Sequence, residues 1–104
     1  MKKSDKGVGG TSFHYHTFKA SKAQIVEALG KPDWVDETPE DKVQNEWCCE
    51  TEDGDVFTIY DWKEYRTYSD DEMIEWHIGG HSGRVTRQAQ EELELLFEFI
   101  DSLG

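Results

Sequence analysis

Apolar and polar residues recur along this chain with two different periods, and the switches between them mark its elements. Over residues 12–19 (SFHYHTFK), Phe13 and Tyr15 share one side while His14, His16 and Phe18 share the other, the period of a strand. Ser21 followed by Gln24 is a capping-box pattern; Ala23, Val26, Ala28 and Leu29 then describe a short helix that Gly30 and Pro32 stop. Residues 33–42 are loop-like, with Pro39 and several acids, and Trp34 and Val35 are expected to anchor them to the core. Residues 44–50 read as a strand, and 56–62 (VFTIYDW) as the most β-prone run of the chain; with Asp53-Gly54 between them they predict a hairpin. Val56, Thr58, Tyr60 and Trp62 fall on one face of the second strand, Phe57, Ile59 and Asp61 on the other. Residues 63–71 form a polar connection carrying Tyr65 and Tyr68.

Ser69 and Glu72 also match a capping box, so residues 70–76 compete between helix and strand; the alternation of Ile74, Trp76 and Ile78 favours strand. Gly79-Gly80 and His81-Ser82-Gly83 then predict a glycine-rich turn into a long helix over 83–102. Its apolar face is Val85, Ala89, Leu93, Leu96, Phe97, Ile100 and Leu103, with Glu91, Glu92, Glu94 and Glu98 mostly towards water. Residues 1–11 mix lysines, glycines and polar residues with little to bury and are expected to be a disordered leader. The order β-α-β-β-β-α predicts an α+β fold: a single domain over 12–104, with a mainly antiparallel four-stranded sheet covered by helices on one face.

Composition narrows the function more than the fold. A chain of 104 residues holds one modest core, in which four Trp, four Tyr and five Phe supply much of the volume. The net charge of −12 argues against a general nucleic-acid or membrane-surface binder, whose footprint would be basic, and permits an acidic decoy for a basic partner. There is no apolar run long enough to span a bilayer and no secretory h-region, so a cytoplasmic location is expected. Adjacent Cys48 and Cys49 point to opposite faces of a strand and are expected to stay reduced and unbridged.

The strings VFTIYDWK (56–63) and EWHIGG (75–80), with Glu46-Trp47 and the Ala28, Leu29, Gly30, Lys31, Pro32 run upstream, resemble a family of small bacteriophage-encoded proteins over roughly residues 13–100. The resemblance implies a phage or prophage origin and expression in a bacterial cytoplasm. More loosely, the chain resembles phage anti-defence proteins that sequester nucleotide signals.

Three constellations bear on chemistry. Residues 76–90 contain no acid and carry His77, His81, Arg84 and Arg87 around Gly79, Gly80 and Ser82. Glycine amides and a helix N-terminus suit an anion, and Tyr60, Trp62 and Trp76 offer flat faces for a base, so a (cyclic) nucleotide held without catalysis and without a cofactor is the leading expectation. A second acid-free window, 13–26, adds His14, His16, Lys19 and Lys22. One small domain has little room to enclose a dinucleotide, which makes a homo-oligomer the expected form. His14, His16, His77 and His81 offer nitrogens for zinc and with it the alternative of a small metal-dependent enzyme. Finally, Asp33, Asp36, Glu37, Glu40 and Asp41, then Glu50, Glu52, Asp53 and Asp55, then Asp70, Asp71 and Glu72 form acidic clusters. Along one face they would imitate DNA phosphates towards a host defence protein such as a CRISPR or restriction component.

Overall fold

The computed structural model describes residues 1–36 and 42–103. The elements are β1 (Lys2–Lys3), β2 (Ser12–Ser21), α1 (Lys22–Leu29), β3 (Trp34–Val35), β4 (Asn45–Glu50), β5 (Val56–Tyr60), β6 (Met73–Gly80) and α2 (Gly83–Leu103). The strands form one antiparallel sheet in the order β1-β4-β5-β6-β2, with β3 also paired to β4. The expected α+β architecture is therefore present, widened by two short strands along the outer edge of β4, where they blunt an otherwise open edge.

Both described helices pack on one face of the sheet. Register explains which residues meet them: Trp47 pairs with Ile59 and Ile59 with Ile78, while Phe18 pairs with Trp76 and Ala20 with Ile74, so these side chains point together into the core. Ile25 and Leu29 of α1, and Val85, Ala89 and Leu93 of α2, close it from above. Trp47 and Trp76 are fully buried and meet edge to face at 5.3 Å. Each indole N–H is satisfied, Trp47 Nε1 donating to the Gly30 carbonyl and Trp76 Nε1 to that of Ala20, both at 2.9 Å. The capping box of α1 forms as expected, with Gln24 N donating to Ser21 Oγ and Ser21 N to Gln24 Oε1. At its other end Gly30, at φ 84°, takes a conformation that a side chain would strain.

Several expectations are corrected. The first residues are not a disordered leader: Lys2 pairs with Glu50 and Lys3 with Cys49. Lys2 Nζ and Lys6 Nζ lie 3.4 and 3.1 Å from the Glu50 carboxylate. Scarcity of apolar residues says nothing of backbone pairing at a vacant sheet edge, and that pairing holds this segment. Trp34 and Val35 do not anchor to the core but lie exposed on β3, held by backbone bonds on either side, Asp33 N to Glu46 O and Asp36 N to Gln44 O. Pro39 lies outside the described residues. The 70–76 ambiguity resolves as strand from Met73 onward, with Ser69 and Glu72 closing only a turn. Gly79 and Gly80 belong to β6 and not to a turn, and Leu103, expected in the apolar face of α2, is exposed.

Candidate functional site

The residues that alternate with the core point to the opposite face of the sheet, where among the described residues no helix packs. Tyr60 pairs with His77, Thr58 with Gly79 and Phe13 with Gly79, which brings rings from β2, β5 and β6 side by side. Phe13 stacks on His77 with centroids 4.3 Å apart and planes 24° from parallel. Tyr60 and Trp62 stand 5.6 and 6.1 Å from His77 and meet each other nearly perpendicularly at 6.1 Å. Tyr15, 89% exposed, extends the cluster edge-on to Phe13, and Trp62 is 39% exposed. The Lys63 ammonium already sits over the Trp62 ring, 5.4 Å from its centroid.

The backbone around this cluster is strained. Among the described residues the non-glycine positions with positive φ are Tyr15 (70°), Lys63 (54°) and Tyr65 (50°), and the first two flank the aromatic face, Tyr15 against Phe13 and Lys63 over Trp62. Tyr15 sits in the bulge where β2 spends the residues from Phe13 to Thr17 against Gly79 to His77 of β6. Such conformations cost on the order of 1–3 kcal/mol each and persist where the surroundings impose them. At Lys63 the surroundings are evident, because the preceding Asp61 is 1% exposed and its carboxylate collects Gln44 N (2.7 Å), Asn45 N (2.9 Å), Asn45 Nδ2 (3.3 Å) and the Tyr68 hydroxyl (2.6 Å). Lys63 N then donates to Lys42 O at 2.7 Å. Trp62 is thus presented from a clamped backbone.

Electrostatically the face is a patch of rings bordered by carboxylates. Burial lowers the His77 pKa, opposed by Glu75, which favours the neutral ring. Burial, and then Glu46 opposite it, raise the Tyr60 phenol, while burial and Asp33 raise Glu46. Burial with Asp61 pushes the Tyr68 hydroxyl up, so it donates to the carboxylate as a neutral phenol.

The residues expected to hold a nucleotide do not converge. Tyr60, Trp62 and His77 come together, but Trp76 is sealed in the core and offers no face. Gly79 and Gly80 are buried strand residues paired to β2 and β5; no glycine-rich turn presents their amides to an anion. Their missing side chains have a packing cause: a Cβ on Gly79 would lie 2.5 Å from Thr58 Oγ1, and one on Gly80 would lie 2.8 Å from Thr86 Cγ2. Ser82 caps α2, its Oγ accepting from Val85 N at 3.3 Å, and exposed His81 lies beside Gly10. Arg84 and Arg87 project from α2 on the other side of the sheet from the rings, lining an open groove of about 590 Å³ with His16, Gly83, Gln88 and Glu91. Arg84 reaches Asp55 at 3.7 Å and Arg87 reaches Glu91 at 3.4 Å.

The histidines are divided as well. His14 Nε2 lies 3.2 Å from the Gly80 carbonyl and His16 Nδ1 lies 2.7 Å from Thr86 Oγ1, on the helix side, whereas His77 stacks on the open side. Among the described residues no three His, Cys, Asp or Glu side chains gather in a metal-holding group. Cys49 is buried with its thiol pushed up to about 12, chiefly by burial, and Cys48 on the opposite face is also raised; both are free. Glu37, Glu40 and Asp41 of the first acidic cluster lie outside the described residues. The second cluster is partly neutralised from within: hydrogen bonds from Lys6 and then Ser4 lower the Glu50 pKa. Phe13, Lys63 and the Asp61 clamp were missed as site residues. The alternation placing Thr58, Tyr60 and Trp62 on one face was the signal that could have gathered the rings, but nothing in it says which face a helix leaves open. No family model, curated protein or solved structure matches the chain.

Proposed function

We propose that this protein is a non-catalytic binding protein that docks through its open aromatic face onto a basic patch of a partner protein. Following the resemblance to bacteriophage proteins, we place that partner in host defence. The observation that carries the reading is the cluster of Phe13, Tyr60, Trp62 and His77 on a face that neither described helix covers, presented from strained, clamped backbone. Tryptophan and tyrosine at the centre of an accessible apolar patch are the residues that dominate protein–protein affinity. Guanidinium and ammonium groups stack on such rings, as Lys63 does on Trp62 within the chain, and Glu46, Glu75 and the net charge of −12 favour a cationic ligand. A nucleotide is the second reading: Tyr60, Trp62 and His77 would stack a base and Lys63 would meet its phosphate, without the glycine amides and without Arg84 and Arg87.

Titration with an arginine-rich peptide and with a panel of cyclic nucleotides, followed by tryptophan fluorescence and thermal shift, separates the two. The peptide is expected to quench the exposed Trp62. Trp62→Ala should weaken the peptide about tenfold or more while leaving the melting temperature unchanged, since a central aromatic anchor contributes about 2 kcal/mol or more. Peptide affinity indifferent to Trp62→Ala overturns the proposal. Trp62-dependent binding of a nucleotide, with no peptide response, transfers the site to the second reading.

A further inference from the structure

On the side of the molecule away from the rings, α2 carries a second apolar surface. Leu95, Phe99 and Leu103 recur at a spacing of one helical turn and are 66%, 60% and 72% exposed. They form a stripe beside a shallow groove lined by Met1, Glu52, Glu92 and Leu96. The helix is also charged in reverse of what its dipole favours. Residues 83–90 hold Arg84 and Arg87 and no acid, whereas residues 91–103 hold Glu91, Glu92, Glu94, Glu98 and Asp101 and no base. Cations at a helix N-terminus and anions towards its C-terminus are both unfavourable; within the chain Arg84 pairs with Asp55, Arg87 with Glu91 and Glu92 with the Met1 ammonium.

We propose that a second copy of this chain covers the stripe, its α2 lying antiparallel along the first. A two-fold axis near the helix midpoint brings Gly83 of one copy level with Leu103 of the other, Arg84 with Ser102, and Arg87 with Phe99. Leu95, two residues from the midpoint at Leu93, stands level with the partner's Glu91 and about one turn from its own counterpart, and Phe99 lies under the stem of the partner's Arg87. Arg84, Arg87, Glu91 and Glu98 follow one another along a single flank at heptad-compatible spacing, and in an antiparallel pair like flanks face each other. Arg87 therefore faces Glu98 across the interface, a pair that occurs twice by symmetry, while the two helix dipoles oppose. The existing contacts of Arg84 with Asp55 and Arg87 with Glu91 join exposed side chains that can re-pair at little cost. Because α2 lies across the sheet from the rings, the dimer leaves both aromatic faces outward and engages a partner at two points. The dimer rests on the α2 surface alone and stands whether or not the aromatic face binds what is proposed for it.

Sedimentation and light scattering of the full chain over a range of concentrations test this. A dimer is expected, and Leu95→Asp with Phe99→Asp should make it monomeric with an unchanged circular-dichroism spectrum. Arg87→Glu or Glu98→Lys alone should each raise the dissociation constant about tenfold, since every reversal turns two attractions into repulsions. The two reversals in one chain should restore the dimer, and a mixture of the two single variants should form the heterodimer preferentially. A chain monomeric at all concentrations overturns the proposal. So does a dimer indifferent to the stripe substitutions, or a double reversal that associates no better than the single ones.

Discussion

Gly79 shows how a residue read for one purpose serves another. Its absent side chain leaves room for Thr58 Oγ1 and the Tyr60 ring from the neighbouring strand. Gly79→Ala forces its Cβ into Thr58 and is expected to cost about 1–3 kcal/mol, the range for overpacking a tight site, seen as a lowered midpoint in urea denaturation. The same substitution combined with Thr58→Ala should cost less than the sum of the two alone; strict additivity would refute the packing account. Glycine in a strand and glycine in a phosphate-binding turn are indistinguishable in sequence, because both roles need only a missing Cβ. What separates them is the neighbour across the ladder, and that neighbour is a matter of register.

At the scale of elements, the connection from β5 to β6 is organised by one buried carboxylate. Asp61 satisfies two backbone amides of the β4 entry and the Tyr68 hydroxyl, tying the strand before Trp62 to the loop after it. Asp61→Ala leaves those donors without an acceptor, a loss of about 1–3 kcal/mol per buried group. The expected signature is faster amide exchange at Gln44 and Asn45, with a red-shifted and more mobile Trp62, while Trp47 and Trp76 stay buried. Unchanged exchange at both amides would count against the clamp. The hairpin of β4 and β5, the capping box of α1 and the long α2 were all legible, since each depends on residues close in sequence. The strand pairing of Lys2–Lys3 and the exposure of Trp34 were not, because an edge strand is recruited by the vacant edge and needs no apolar pattern of its own.

For the whole molecule, the proposed docking makes the net charge of −12 the term that would set the kinetics of meeting a basic partner. Association should slow steeply as salt rises from low to physiological strength while dissociation changes little, because the summed field acts at long range and is screened, whereas ring contacts act on contact. Stopped-flow measurement with the arginine-rich peptide would show this, and an association rate indifferent to salt would remove the field from the account.

Local pattern alone determined the α+β class, the alternation of every long strand, the caps of α1 and the charge contrast around residues 76–90. These follow from side-chain period and neighbouring hydrogen bonds, which a sequence carries in full. Only the tertiary structure decided that Tyr60, Trp62 and His77 share an open face with Phe13, that Trp76 faces inward, and that Arg84 and Arg87 stand across the sheet from the rings. Alternation says that successive residues part company, but which of the two faces receives the helices depends on the summed burial of all the strands at once. That choice separated the rings from the arginines that sequence proximity had joined.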